Sequence, residues 1–128
     1  IKKFRVKNET LDIQSKKYLD LLSEICTYIK INYQDNLTLN NVSSQFGYSP
    51  QYLARIFKKY TGQTFLIYLN SVRLNYAYKE MMNSDLSLLT IAENNGFSSV
   101  KSFSKIFKNI YGEVPSVYRK KINNIGQK

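Results

Sequence analysis

The chain has 128 residues, of which 43% are apolar, so it is long enough to bury a core in one domain or in two very small ones. It carries 19 Lys and Arg against nine Asp and Glu, and this formal net charge of +10 favours a polyanionic partner such as nucleic acid or an anionic membrane surface. It has no His and a single Cys, which excludes an internal disulfide and the usual zinc ligand sets, so no metal and no cofactor are expected.

The first predicted elements are a tail and a helix. Residues 1–17 are polar and mixed in charge without sustained periodicity, and we expect a linker or tail there. From Tyr18 to Ile31 apolar residues recur at helical spacing, which predicts a helix that ends near Tyr33. Cys26 lies inside this helix as a small buried hydrophobe, with a redox role as the alternative. The chain begins with Ile rather than Met, so we expect a processed or excised piece of a longer protein.

The next residues predict a helix-turn-helix motif. Thr38 can cap a short helix that ends at Gly47, a residue type with which helices often terminate. Ser49 and Pro50 restart a second helix, because Ser is a favourable cap and Pro is tolerated at the first helical position. Gly62 closes the second helix. Helix, glycine turn and helix together make up the motif.

A long helix and a second copy of the motif follow. Residues 64–83 predict a continuous helix roughly 30 Å long. Residues 96–112 then repeat residues 47–62 with one inserted residue, and each copy is a glycine turn followed by a basic amphipathic helix. A final helix is expected over about 115–122, with a tail over 123–128.

These elements predict an all-α protein with about seven helices and no strand. Two helix-turn-helix subdomains are joined by the long central helix. The predicted bounds of the first subdomain, the connecting helix and the second subdomain are 18–63, 64–83 and 84–122.

The two repeated amphipathic helices, over about 49–60 and 99–111, are the predicted recognition helices. A helix fits the major groove of DNA, where side chains on its exposed face near the N-terminus read the bases. The apolar positions on the opposite face are assigned to the core: Leu53, Ile56, Phe57, Phe103, Ile106 and Phe107. The outward positions are the predicted base contacts: Gln51, Ala54, Arg55, Val100, Lys101, Ser104 and Lys105.

The chemistry of these side chains suits base reading. Gln51 can form two hydrogen bonds with an adenine edge, and Arg55 can do so with guanine. Lys105 stands where Arg55 stands, and Val100 can touch a thymine methyl group. Cations and the capped helix starts, whose backbone amides face outward, are expected to bind phosphates. The predicted phosphate contacts are Thr38, Ser49, Lys58, Lys59, Arg73, Ser99 and Lys108.

The second half of the chain carries the most specific motif: Ile91-Ala92-x-x-x-Gly96-Phe97-x-Ser99, then Phe103-Ser104-Lys105-x-Phe107-Lys108, then Gly112-x-x-Pro115-x-x-Tyr118-Arg119. The first half adds Gly47-Tyr48-Ser49, Phe57-Lys58-Lys59, Thr61-Gly62 and Arg73-Leu74-x-x-Ala77. Over about residues 18–122 the sequence therefore resembles the DNA-binding domain of AraC/XylS-type bacterial transcription regulators. The resemblance implies that both subdomains bind promoter DNA in successive major grooves, with base contacts at the positions given above. Two positions depart from the family, since Ala54 is too short to reach the hydrogen-bonding edge of a base and Lys105 replaces a common Arg.

The resemblance also implies partners. These are double-stranded promoter DNA, RNA polymerase if the protein is an activator, and an N-terminal effector or dimerisation domain in the full-length protein. The DNA site is expected to be asymmetric, because the repeats are tandem and differ in their exposed residues. No apolar run approaches the ~20 residues that span a bilayer, and the N-terminus has no hydrophobic signal core. We therefore expect a cytoplasmic location and no membrane partner.

Two other classes of function are alternatives. A charge-driven module would bind anionic membranes or acidic proteins through its basic helices, but it does not need the ordered caps and turns. An enzyme is disfavoured because the chain has no His and no glycine-rich phosphate loop. Glu80 and Asp85 flank a predicted helix end and are expected to face solvent, so they do not form an acid/base pair. No enzymatic activity is expected.

Overall fold

The computed structural model describes residues 9–126, with the side chains of residues 13–124. Within that range the chain forms seven α-helices and no strand, which confirms the predicted all-α class. In chain order the helices are α1 (Glu9–Asn32), α2 (Leu39–Gln45), α3 (Pro50–Thr61), α4 (Phe65–Asn83), α5 (Leu88–Asn94), α6 (Val100–Tyr111) and α7 (Pro115–Gly126). None of these helices is both long and apolar enough to cross a bilayer.

Both ends of the described range are more helical than the sequence predicts. α1 begins at Glu9, so residues 9–17 form its first turns although a linker or tail is expected there. This segment contains Glu, Leu, Gln and Lys and no Gly or Pro, so its helical propensity is sufficient without an apolar stripe. α7 likewise continues to Gly126, so the first part of the expected tail over 123–128 is helical. Residues 1–8 and 127–128 lie outside the described residues.

The chain divides into two compact units. Among the described residues, the first unit comprises 9–32 and 37–67, and the second comprises 33–36 and 68–126. The helix pair α2 and α3 therefore belongs to the first unit, and the pair α5 and α6 to the second. The short segment 33–36, which follows α1 in sequence, belongs to the second unit.

The same local signals build the second helix of each pair. The Ser49 side chain accepts the Tyr52 backbone N–H at 3.1 Å at the start of α3, and the Ser99 side chain accepts that of Ser102 at 3.0 Å at the start of α6. Each helix is 12 residues long and ends at a glycine with positive φ, at Gly62 and Gly112. The start and end of each helix are thus set by residues that occur in both copies.

Burial fixes which face of each helix is turned outward. Five of the six positions assigned to the core are buried: Leu53, Ile56, Phe57, Phe103 and Phe107. The sixth, Ile106, is only partly buried, because it packs at the edge of the second unit's core rather than inside it. Cys26 in α1 is also partly buried. Because the buried residues recur every three or four positions, the opposite face of α3 and of α6 is left to solvent.

Candidate nucleic-acid interface

The exposed face of α3 is the first candidate surface. Gln51, Arg55 and Lys58 are exposed and lie four and three residues apart, which places them on one side of the helix. Lys59 is exposed beside them, and Ala54 is partly buried. The structure thus brings together all four polar side chains that the sequence predicts on this helix.

The exposed face of α6 repeats this spacing with different chemistry. Lys101, Lys105 and Lys108 are exposed at the positions that correspond to the three residues of α3. Ser104 is partly buried. Val100 packs against the core of the second unit, so only part of its side chain is available to a thymine methyl group. The second surface is therefore a row of three ammonium groups, whereas the first carries an amide, a guanidinium and an ammonium group.

The predicted phosphate contacts at helix starts are exposed. Ser49, Ser99 and Thr38 each accept a backbone N–H within their own helix, and the hydrogen of each hydroxyl group is a further donor. Thr38 forms a capping box with Asn41, whose side-chain oxygen accepts the Thr38 N–H at 2.9 Å. The partial positive charge of a helix N-terminus favours an anion at such a position.

The predicted phosphate contacts at the ends of the recognition helices are lysines. Lys58 donates from Nζ to the Gly62 carbonyl at 3.3 Å, and an ammonium group has two more hydrogens to donate. The Lys59 ammonium lies 5.4 Å from the centre of the Tyr60 ring. Lys108 is exposed in the last turn of α6. All three lysines remain accessible to a phosphate.

Arg73 does not lie where the sequence predicts. The sequence predicts that Arg73 contacts a DNA phosphate, but its side chain is only 9% exposed. It donates hydrogen bonds from Nε to the Tyr33 carbonyl at 2.8 Å and from Nη2 to the Asp35 carbonyl at 2.7 Å. Burial lowers the pKa of its guanidinium group. The expected phosphate contact is therefore corrected to a structural role, in which Arg73 holds the segment that follows α1.

A second arginine holds a segment in the same way. Arg119 in α7 donates from Nη1 to the Leu86 carbonyl at 2.6 Å and from Nη2 to the Ser84 carbonyl at 2.5 Å. These carbonyls lie in the segment between α4 and α5, so the arginine fixes the entry to the second helix pair. A guanidinium group suits this task because its planar set of donors reaches two carbonyls at once.

A polar network surrounds the turn between α5 and α6. Glu80, which is expected to face solvent, is partly buried and accepts hydrogen bonds from the side-chain amides of Asn94 at 3.3 Å and Asn95 at 3.0 Å. Asn95 is 3% exposed, and its side-chain oxygen accepts the Tyr33 hydroxyl at 3.4 Å. The expectation for Glu80 is wrong because its partners come from a helix that follows it in the chain and packs within the same unit. Asp85 is exposed, as expected.

The turn glycines of the two pairs differ in their surroundings. Gly96 has φ of 84°, and a Cβ atom there would lie 2.5 Å from the Tyr33 carbonyl oxygen and 2.8 Å from Arg73 Nε. Gly47 has φ of 79°, and a Cβ atom would meet no heavy atom within 4 Å. Both positions favour glycine by backbone conformation, but only the second turn also excludes a side chain for lack of space.

Arg55 contacts a cluster of four tyrosines through Tyr52. The Arg55 guanidinium carbon is 5.2 Å from the centre of the Tyr52 ring, and Tyr52 stacks on Tyr48 with ring centres 5.1 Å apart. The Tyr18 ring of α1 lies 6.5 Å from the Tyr52 ring and itself stacks on Tyr60 at 5.4 Å. This cluster is not among the features predicted from the sequence, although an aromatic residue three positions before an arginine on a helix is a recognisable signal.

The surroundings of Tyr18 and Tyr52 shift the pKa values of their hydroxyl groups in opposite directions. Hydrogen bonding by Gln14 and then by Tyr52 lowers the pKa of Tyr18, with a smaller contribution from the positive charge of Arg55. Burial, and then hydrogen bonding by Tyr18, raises the pKa of Tyr52.

The sequence is similar to known helix-turn-helix proteins over most of its length. A family model described as a helix-turn-helix domain matches residues 42–121. The chain is also 38% identical over 96 residues to the regulatory protein PocR of Salmonella typhimurium. That match covers 75% of this chain and 32% of PocR, so the chain spans about a third of the length of that relative.

Solved structures share the fold. The C-terminal domain of the two-component response regulator yesN from Fusobacterium nucleatum is similar with a TM-score of 0.75 and 33% identity, over 78% of this chain and 98% of that domain. A transcriptional regulator from Chromobacterium violaceum, described as containing an AraC-type DNA-binding domain, is similar with a TM-score of 0.71 and 27% identity, over 85% of this chain and 95% of that one.

Proposed function

Because this chain belongs to the AraC-type helix-turn-helix family of bacterial DNA-binding transcription regulators, we propose that it binds double-stranded promoter DNA sequence-specifically, with α3 and α6 as two recognition helices. The observation that carries the proposal is the duplicated exposed face. Each helix has a serine cap, a buried apolar side and three exposed polar residues at the same spacing. A solvated helix face requires neither the duplication nor the shared spacing.

The two faces are proposed to read different sequences. Arg55 contacts guanine and Gln51 contacts adenine in one major-groove segment. In the other segment Lys101 and Lys105 contact guanine, Ser104 adds a hydrogen bond, and the partly buried Val100 lies nearest a thymine methyl group. Ala54 contributes only an apolar contact because it is too short to reach a hydrogen-bonding edge. The site is therefore asymmetric.

The two segments are proposed to be successive turns of one face of the duplex. Recognition helices that bind one face lie about 34 Å apart. α4 has 19 residues and is therefore about 29 Å long at 1.5 Å per residue, which is of the same order. The length of α4 supports the proposal that a single chain does what other helix-turn-helix proteins do as dimers.

Phosphate contacts are proposed to set the position of the domain on DNA. Lys58, Lys59 and Lys108 supply charge at the C-terminal ends of the recognition helices. The exposed hydroxyl groups and backbone amides at the helix starts supply further contacts, at Thr38, Ser49 and Ser99. Such contacts add affinity that does not depend on sequence and that falls as salt rises.

The remaining partners follow from the role of a transcription regulator. We propose that the domain acts in the cytoplasm, on promoter DNA, and that it contacts RNA polymerase if it is an activator. We further propose that the full-length protein carries an effector or dimerisation domain before this segment. The proposal includes no enzymatic activity.

Selection of bound duplexes from a random DNA library tests the proposed function. We expect an asymmetric motif with two blocks whose centres lie about 10 base pairs apart. Arg55→Ala should relax one block, and the matched variant Lys105→Ala should relax the other. No enrichment together with tight binding to anionic vesicles would favour the charge-driven module instead. A palindromic motif, or relaxation of the same block by both variants, would contradict the two-helix assignment.

A further inference from the structure

The tyrosines beside Arg55 indicate how the proposed reading by α3 is made selective. We propose that Tyr52, held in place by Tyr18 of α1, positions the Arg55 guanidinium for guanine reading, so that α1 contributes to DNA specificity. The inference rests on the proposed function of α3 and assigns Tyr52 and Tyr18 as positioning residues.

The geometry allows Arg55 to contact the ring and a base at the same time. Its guanidinium carbon lies 5.2 Å from the centre of the Tyr52 ring, one helical turn earlier on α3. The attraction to the ring depends on the positive charge over the aromatic face. Reading of guanine O6 and N7 depends on N–H groups at the edge of the guanidinium plane. The two interactions use different parts of the same group.

Arg55 needs such support because its surroundings leave it room to move. The side chain is exposed and borders an open groove of about 420 Å³ between α1 and α3. A long side chain loses rotamer freedom when it binds, and holding it beforehand reduces that cost. Tyr52 is therefore placed to restrict the side-chain conformations of Arg55 and so to increase the affinity for DNA.

Tyr52 is itself held by its neighbours. It stacks on Tyr48 at 5.1 Å, and its ring centre lies 6.5 Å from that of Tyr18 in a tilted arrangement. Tyr18 stacks on Tyr60 at 5.4 Å, near the end of α3. Tyr18 precedes residues 42–121, the part of the chain that matches the family model. A helix outside the matched range thus supports a predicted base-reading residue.

The second unit provides a natural contrast. When the repeats are aligned, Ser102 stands where Tyr52 stands, and Lys105 stands where Arg55 stands. The aromatic support of Arg55 by Tyr52 is therefore a feature of α3 and is not repeated in α6. Ser102→Ala is the matched control for substitutions of Tyr52.

A double-mutant cycle on the full chain tests the inference. The wild type, Tyr52→Leu, Arg55→Ala and the double variant are titrated with a selected duplex and with the same duplex changed at the base that Arg55 reads. We expect Tyr52→Leu to weaken binding to the selected duplex about two- to fivefold, and to have no further effect once Arg55 is Ala. Tyr52→Phe keeps the ring and should keep discrimination at that base within about twofold of the wild type. Ser102→Ala should leave the discrimination at that base unchanged.

The outcomes separate this inference from the proposed function. If the fold-losses of affinity from Tyr52→Leu and Arg55→Ala multiply in the double variant, the positioning role of Tyr52 is overturned, whereas base reading by Arg55 is not. If Arg55→Ala leaves every base preference unchanged, the assignment of α3 fails as well.

A second variant covers failure of Tyr52→Leu to fold. Tyr18→Leu removes the aromatic ring that lies 6.5 Å from the Tyr52 ring. We expect it to lower discrimination at the Arg55 base about twofold, and only when Arg55 is present. An equal effect of Tyr18→Leu in the Arg55→Ala background would overturn the inference.

Discussion

The two helix-turn-helix pairs have the same scaffold and different exposed chemistry. In both, a serine caps the second helix, which has 12 residues and ends at a glycine with positive φ. The exposed triplet is Gln51, Arg55 and Lys58 in α3, whereas it is three lysines in α6. Residues required for folding and residues available for reading therefore occupy opposite faces of the helix. The reading face can change while the fold is retained.

The pairs also differ in how their turns are held. Gly96 lies against the Tyr33 carbonyl and the Arg73 side chain, whereas a Cβ atom at Gly47 would have open space around it. The second turn is thus anchored by the segment 33–36, which follows α1 in sequence. Substitutions at matched positions of the two pairs test whether this difference affects stability and DNA binding.

The largest expected effect is on stability, at the turn glycines. Gly96→Ala should lower the free energy of unfolding by about 3 kcal/mol, because it adds a steric clash to the cost of a left-handed backbone. Gly47→Ala should cost about 1 kcal/mol, since only the backbone term applies. Urea denaturation of both variants measures the difference. Equal losses would show that the two turns are equivalent after all.

Replacing Arg73 should also affect stability rather than DNA binding. Arg73→Met removes two charge-assisted hydrogen bonds to the Tyr33 and Asp35 carbonyls, at an expected cost of about 2 to 3 kcal/mol. Its binding to DNA, measured at a temperature where the variant is folded, should keep the salt dependence of the wild type. A shallower salt dependence would instead show that Arg73 contacts a phosphate, contrary to its hydrogen bonds in the structure.

The reading residues should have unequal effects on affinity. Arg55→Ala should weaken binding to the selected site by about 2 kcal/mol and relax one base position. Lys105→Ala should cost about 1 kcal/mol at the other block, because an ammonium group lacks the fixed pair of donors of a guanidinium group. Titrations on duplexes changed at single positions measure both. Equal costs would mean that the guanidinium group of Arg55 gives no advantage over the ammonium group of Lys105.

The smallest expected effects are at the phosphate-facing lysines. Lys58→Ala and Lys108→Ala should each weaken cognate and random DNA alike, by about 1 kcal/mol or less. Each should reduce the slope of log affinity against log salt by about one. Binding measured over a series of salt concentrations provides the comparison. If either variant altered base preference, that lysine would belong to the reading face.

The sequence predicts those parts of the structure that depend on neighbouring residues. The caps at Ser49 and Ser99 and five of the six core positions on α3 and α6 are confirmed, because a cap and a helical period are local signals. The start of α1 is missed for a local reason as well. Residues 9–17 have helical propensity without apolar periodicity, so the periodic pattern begins after the helix does.

Contacts between distant parts of the chain are not predictable in this way. Arg73 and Tyr33 are forty residues apart, and an arginine in a basic stretch has the same sequence appearance whether it binds a phosphate or a buried carbonyl. The hydrogen bonds of Glu80 and the proximity of Tyr18 to Tyr52 likewise depend on packing between helices. The base and phosphate contacts themselves stay predictions, supported by exposure and spacing.

The fixed starts and ends of α3 and α6 have a consequence for evolution and for engineering. Each helix is a bounded cassette of 12 residues whose ends are set by its own cap and glycine. Under the proposed reading of DNA by α3 and α6, a change in one cassette leaves the other able to bind its old sequence, so that a new promoter is acquired one half-site at a time. Retargeting would then proceed through intermediates that still bind DNA. A library restricted to the exposed positions of a single cassette is expected to yield folded variants.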